Sequence, residues 1–585
     1  MTFSTFERSP APALALALAA ALSVPAALVC QTESRPSNRF VPEDSCVVLR
    51  IAAPAKWNER FATTQVQKLG QAATLAPLIE QANHAFEMQL EQLRQSGLFD
   101  ADLLERLITD YRGDIVVSLQ VDVDKLLEAI QYGDAPPISF VLALTPDGSF
   151  DLEALAKAVE QAVEKSTPDG GDLRDLVVGD LTLRCSNNGE GELDANLPAM
   201  IDGHLVMAGS PDLAKDAARL LATDRRWTGP AGQQSPLFLY VELEQGMQAL
   251  LKAAAEDAGG APFDPVAMLE AIGLGSLRSM TLAVDADDAR VTGEVRVGMK
   301  AEGRGLFGVL VASQQAPRLL RSVPANAESF SVSTMTLSPV FDTVATIWRE
   351  MGDFLPMTFD DAMAGFTEAT KVRLKEDLFD HLGDEFLAYQ DSESLTEANA
   401  AVFEDDDPTA MFVGSVYGIS LRDSKAFGES LETALRSRGL HVGRKQEDYG
   451  NVKINRMRLL GLVELEYVVA GDVLLLGLGS DEGSRRALRS VLDQRASGEA
   501  ELPESVKEHL AAMPAGWNGI SVMPLAPLLE GIVMALEASD EFGEEMAVVG
   551  PILKGLAGDM KRLGIDQLVS TTYVDDGSMV GRFRW

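Results

Sequence analysis

Two stretches of this chain carry residue types that could do chemistry. Glu404-Asp405-Asp406-Asp407 sets four carboxylates in a row, the hard oxygen ligands that calcium takes. It lacks the alternating ligands and turn glycine of an EF-hand, and Pro408 follows directly, so a solvated loop is expected there. Gly477-Leu478-Gly479-Ser480-Asp481-Glu482-Gly483 has the glycine density of a phosphate loop. Its spacing matches no nucleotide motif and two acids stand where phosphate would bind, so a strand-to-helix turn is expected. The histidines His84, His204, His381, His441 and His509 are scattered, with no two at metal-ligand spacing, and each is expected at the surface or at a cap. There is no Gly-Lys pair, no Cys-x-x-Cys, no His-Glu-x-x-His and no Ser three residues before a Lys. These absences remove the P-loop, the common zinc and redox motifs, and the serine β-lactamase pattern. No catalytic, cofactor-binding or metal-ligating set is assigned and no cofactor is expected, although 88 acids leave carboxylate dyads open.

The elements that would position any site repeat along the chain. Four Pro-led segments each run into an apolar strand and then an amphipathic helix. They are Pro42 before Cys46-Val47-Val48-Leu49, Pro230 before Leu237-Phe238-Leu239-Tyr240-Val241, Pro324 before Phe330-Ser331-Val332, and Pro514 before Gly519-Ile520-Ser521-Val522. The first and third lie 324 − 42 = 282 residues apart, and the second and fourth 514 − 230 = 284. Gly113-Asp114-Ile115-Val116 is answered by Gly383-Asp384-Glu385-Phe386, and Asp202-Gly203-His204 by Gly471-Asp472-Val473. Helical runs follow at Ala214 to Leu221 and at Ser484 to Leu492, and Ile272-Gly273 is answered by Leu563-Gly564. A period this long, kept at several landmarks, predicts a tandem duplication.

The fold class expected is α+β, each copy a twisted, largely antiparallel sheet packed with amphipathic helices. Hairpin signals support it: Asp576-Gly577 tolerates positive φ at both positions, and Asp285-Ala286-Asp287-Asp288 is hairpin-sized. Apolar stripes at helical spacing occur at Leu243, Met247, Leu250 and Leu251, at Leu152, Leu155, Val159 and Val163, and at Leu525, Leu528, Leu529, Ile532 and Val533. A chain of 585 residues, 46% hydrophobic, suits two cores. The expected organisation is a leader at 1–26, a polar tether at 27–40, a first copy at 41–298, a link at 299–322 and a second copy at 323–585. One loop, Asp391 to Pro408, is expected to be flexible.

The leader has Arg8 in a short basic region, an Ala/Leu run from about Ala11 to Leu22, and small residues for cleavage near Ala26 or Ala27. A second reading is lipidation at Cys30, although Val29 and Ala27 make a poor lipobox, and an uncleaved anchor is a third. Cys46 is expected to fill a core as a small hydrophobe, with a bridge to Cys185 as the alternative.

Charge narrows the partners. With 50 basic against 88 acidic residues, the net −38 repels nucleic acid and anionic headgroups, so no nucleic-acid partner is expected and membrane contact only through the leader or a lipid on Cys30. The chain resembles a loose group of exported bacterial proteins known only as domains of unknown function. The likeness lies in the Pro-Ala or Pro-Glu lead-in to a strand, in Leu382-Gly383-Asp384-Glu385-Phe386, and in the Gly471 to Ser480 strand with its following helix. The resemblance implies a noncatalytic envelope protein and supplies no reaction or ligand. The expected function is therefore an exported binding or scaffold protein of the periplasm or cell surface, partnered by an unidentified envelope protein. A carrier of an apolar ligand or lipid is the alternative, and an enzyme of unrecognised class the third.

Overall fold

The computed structural model describes residues 40–585 except 43–44, 54–59, 73, 97–99, 122–137, 167–173, 179–180, 188–192, 197, 209–226, 228–234, 258–264, 288–289, 302–304, 312–314, 352–354, 392–413, 460–462, 479–481, 499–501, 539–542 and 566. The leader, Cys30, the tether as far as residue 39, the run from Ala214 to Leu221, Glu404 to Asp407 and most of the loop after Asp391 lie outside the described residues, while Phe40, counted with the polar tether, is buried. The chain forms two compact units, Met1–Gly246 with Ser279–Val295, and Met247–Arg278 with Arg296–Trp585.

The first unit is built on strands β1 (Val47–Ile51), β2 (Ile115–Val121), β3 (Ile138–Leu144), β4 (Arg174–Val178), β5 (Leu181–Asn187), β6 (Leu193–Asn196), β7 (Ala199–Ile201), β8 (His204–Ala208), β9 (Leu237–Glu242) and β10 (Leu277–Asp287), followed by β11 (Arg290–Met299). Seven of them form an antiparallel sheet in the order β7-β8-β3-β2-β1-β9-β10. Alternation along the strands fills both faces. Ile51, Ile115, Leu142, Leu144 and Leu205 meet Leu104 and Leu107 of the Ala101–Asp110 helix and Leu152, Leu155 and Val159 of the Leu152–Ser166 helix. On the other face Val48, Val116, Phe238 and Ala283 pack with Val41 and Trp227. Strands β4, β5 and β6 form a separate three-stranded sheet. Pro198 lies between β6 and β7, and a prolyl nitrogen has no hydrogen to give a ladder.

The second unit carries β12 (Ser329–Thr334), β13 (Leu382–Gln390), β14 (Ser415–Leu421), β15 (Lys445–Tyr449), β16 (Val452–Leu459), β17 (Val463–Ala470), β18 (Val473–Leu478), β19 (Gly519–Pro524), β20 (Gln567–Asp575) and β21 (Ser578–Arg584). The order is β15-β16-β17-β18-β14-β13-β12-β19-β20-β21, antiparallel throughout. Ala487, Leu488, Val491 and Leu492 of the Glu482–Ser497 helix cover Val332, Leu387, Val416, Val468 and Leu475 on one face. Phe427 and Leu435 of the Ser424–Ser437 helix cover Leu421, Met457, Tyr467 and Leu474 on the other. Asp423 caps that helix by accepting from the Ala426 amide at 2.9 Å.

The mixed helix-and-strand class with large antiparallel sheets is as the pattern predicts. All four Pro-led strands form, and the two of each unit are neighbours, β1 beside β9 and β12 beside β19. The turn from β20 to β21 has positive φ at Asp576 and Gly577, as read from their types. Three expectations need correction. Strand β10 runs on to Asp287, so Asp285 to Asp287 belong to the strand instead of the loop. Leu250 and Leu528 are exposed at 41% and 37%, because their helices turn Ala249 and Ala526 inward instead, while Val533 of the expected stripe is buried. Cys46 is half-buried and outside the main cores, its free thiol donating to the Leu119 carbonyl at 3.1 Å, with burial pushing the thiol pKa up.

Candidate functional site

Strands β16 and β17 change character along their length. Val452 and Ile454, then Arg456 and Arg458, project to one face of β16; on the same face of β17 stand Val468 and Ala470, then Glu466 and Glu464. The antiparallel register sets Arg456 opposite Glu466 and Arg458 opposite Glu464, so the apolar half of the face gives way to two cross-strand ion pairs. The Glu482–Ser497 helix lies over this face with its apolar side on the core, and its N-terminal end is tied down by Ser484, which donates to the Leu478 carbonyl at 2.7 Å and accepts from the Gly414 amide at 2.9 Å. Its arginines therefore reach the charged half: Arg485 lies 3.6 Å from Glu464 and 3.4 Å from Glu466, and Arg489 lies 2.9 Å from Glu447 on β15.

Glu466 is the centre of this network. It is 3% exposed and accepts from Arg456 Nε at 2.6 Å. Tyr449 extends the network by donating to the Asp493 carboxylate at 2.9 Å, and burial with that bond raises its phenol pKa. On the opposite face Arg444 lies 2.5 Å from Glu432 and donates to the Tyr467 hydroxyl at 3.0 Å; its guanidinium holds Glu432 below the usual carboxylate range. From Arg444 to Ser497 the chain has nine basic and eight acidic residues, near-neutral in a chain of net charge −38.

Beside the network a half-open recess of about 200 Å³ is lined by Lys445, Gln446, Glu447, Ile454 and Arg456. Small-molecule sites typically enclose about 300–1,000 Å³ with largely apolar walls, so this recess suits a side-chain terminus or a short piece of backbone. No family model, curated protein or solved structure matches the chain. Among the described residues no group of three His, Cys, Asp or Glu could hold a metal ion, and no helix is long and apolar enough to cross a membrane.

The residues singled out by type are not gathered here. Leu478 ends β18 and Glu482 begins the next helix, as expected of a strand-to-helix turn. Two of the five histidines depart from the surface or capping expectation. His204 is 2% exposed, with Nδ1 3.1 Å from the Asp202 carbonyl and its ring 4.9 Å from that of Phe40. His509 is 3% exposed. Each lies on an element whose inward positions are otherwise apolar, and a neutral imidazole is tolerated there once a ring nitrogen is hydrogen-bonded. The charged network is hard to see in the sequence because a buried glutamate has the same letter as a surface one; its cue is Arg456-Met457-Arg458 followed, with five residues between, by Glu464-Leu465-Glu466.

Replacing Glu466 by Ala leaves two guanidiniums facing each other. Breaking a buried pair costs about 3–5 kcal/mol, but Arg456 and Arg485 are 25% and 31% exposed and water relieves part of it. The expected loss is about 2–3 kcal/mol, read as a lower urea midpoint with an unchanged slope.

Proposed function

We propose that this chain is an exported, noncatalytic binding or scaffold protein of the bacterial cell envelope, made of two copies of one α+β unit. The duplication is supported by strand order: β7-β8-β3-β2-β1-β9-β10 and β17-β18-β14-β13-β12-β19-β20 are one sequence of neighbours. Gly113 and Gly383 stand at the start of equivalent strands, each pressed against the hydroxyl residue at the end of the next strand, Thr145 or Ser420. Export rests on the leader, with cleavage near Ala26 or Ala27, or lipidation at Cys30.

The observation that carries the noncatalytic reading is how the buried acids are used. Glu466 is held by Arg456, and Glu385, 7% exposed, accepts from Arg318 Nε at 2.8 Å and from the Leu319 amide at 2.7 Å. Carboxylates fixed in this way act as acceptors that join elements, whereas a catalytic acid needs a reacting group within reach and a pKa near the working pH. Partner binding then falls to the surface.

Native mass spectrometry of the protein matured from its own leader tests this. A chain starting near Ala27, or one starting at Cys30 with a covalent lipid, is the expected result. An intact leader on a cytosolic protein would overturn export, and a noncovalent mass lost on activation would replace the scaffold reading with a carrier.

A further inference from the structure

Strand β15 ends its sheet: it pairs with β16, and no other strand of the described residues takes its outer side. Lys445, Gln446, Glu447 and Asp448 are all exposed, and the segment just before them exposes Leu440 at 36% and Val442 at 80%. An open edge is a template for another strand, and charges along it discourage strands that do not match them. The charges of β15 match a second β15. Lys445, Glu447 and Tyr449 project to the face of the Glu482–Ser497 helix, as the Glu447–Arg489 and Tyr449–Asp493 contacts require. Gln446 and Asp448 project to the other face, where Gln446 meets Asn455 at 2.8 Å, and Arg444 is on that face through Glu432.

We propose that this edge pairs with the same edge of a second copy of the chain, antiparallel about a two-fold axis through Gln446. Residues directly opposite in an antiparallel pair share a face. That register therefore sets Lys445 against Glu447 of the second copy twice and Gln446 against itself. A shift that centres the axis on Glu447 brings two glutamates together, so the charges select the register as well as the partner. Such an isologous contact closes at two copies. The near-neutral balance from Arg444 to Ser497 permits approach at this place on an otherwise acidic molecule. The pairing holds whether or not the chain is exported.

Sedimentation equilibrium on the full-length chain reads it directly. A five-residue edge is a small interface, and a reversible dimer with Kd on the order of 10–100 µM is expected. Lys445 is exposed and has no ion pair among the described residues, so Lys445→Glu leaves the fold intact and abolishes the dimer by setting Glu against Glu. Glu447→Lys sets Lys against Lys and does the same, with circular dichroism confirming its fold. An equimolar mixture of the two variants restores opposite charges and recovers the dimer. A wild-type chain that stays monomeric to about 500 µM would overturn the proposal, given the range just stated for such interfaces. So would a Lys445→Glu chain that dimerises as well as wild type, which would place the contact elsewhere.

Discussion

Gly113→Ala destabilises the first unit by about 3–5 kcal/mol, and Gly383→Ala, at the matching place in the strand order of the second unit, costs only about 1–3 kcal/mol. Both glycines open a strand where the neighbouring strand ends, and a Cβ at either would overlap an atom of that neighbour. What it meets differs. At Gly113 the nearest atoms are the Thr145 backbone carbonyl oxygen and the Tyr111 hydroxyl, 2.5 Å away. Tyr111 is fully buried and its hydroxyl bridges the Asp114 and Thr145 carbonyls at 2.9 and 2.8 Å, so the methyl group displaces a backbone atom and breaks a buried hydrogen bond together. At Gly383 the nearest atom is the Ser420 hydroxyl oxygen, the end of a short side chain that can turn away at the cost of the bond it accepts from the Glu385 amide at 3.0 Å.

The difference makes a double-mutant cycle informative. Ser420→Ala removes the clashing oxygen, so Gly383→Ala with Ser420→Ala should cost less than the two single changes together, with a coupling of about 1 kcal/mol. The Thr145 contact is a main-chain atom, and Thr145→Ala should give Gly113→Ala no comparable relief. Urea unfolding followed by hydrogen exchange locates the damage, at β2 and β3 for the first glycine and β13 and β14 for the second. Equal costs at the two glycines, or additive changes at Gly383 and Ser420, would show that the contacts named do not set the penalty.

These glycines are legible in the sequence because the 270-residue offset between 113 and 383 pairs them by residue type alone, and a glycine leading into a strand has few other reasons to recur. The Asp576-Gly577 turn is legible for a related reason, since few residues accept positive φ. Strand β15 gives no such signal. Lys445-Gln446-Glu447-Asp448-Tyr449 packs only its last residue, Tyr449, against the core, and four exposed polar residues in a row give no hydrophobic alternation to read. The charged network beside it is hidden for the converse reason: the helical stripe from Ala487 to Leu492 predicts where the helix lies, but Arg485 and Arg489 look like its solvent side until Glu464, Glu466 and Glu447 are placed beneath them. Leu250 misleads because its spacing fits the stripe, while its helix settles on the smaller Ala249.

His509 makes the second unit lose about 3 kcal/mol of stability between pH 6.5 and pH 4. It lies on the Glu504–Ala511 helix against β20, with Nε2 3.0 Å from the Thr571 hydroxyl oxygen. Thr571 also touches the Met513 sulfur, and its hydroxyl gives the buried neutral imidazole a hydrogen-bond partner. Burial, and then the positive charge of Arg582, lowers the His509 pKa from 6.5 to about 4. As the pH falls below 6.5 the unfolded chain takes up a proton that the folded chain refuses until about pH 4. Stability is therefore complete above 6.5, is lost through this interval, and loses nothing more from this residue below it. At about 1.4 kcal/mol per pKa unit the difference gives the expected loss. Carboxylates held low by arginine, Glu432 beside Arg444 and Asp377 beside Arg373, lose their contribution as the pH falls through the ordinary carboxylate range and below, so the interval from pH 6.5 to about 5 reports His509 without them. His509→Gln keeps a donor for Thr571 and cannot titrate; its unfolding free energy should stay level from pH 6.5 to about 5 while that of the wild type falls. A slope that survives the substitution would assign the acid sensitivity to another group, and a flat wild-type curve would mean that the folded imidazole takes its proton as readily as the unfolded one.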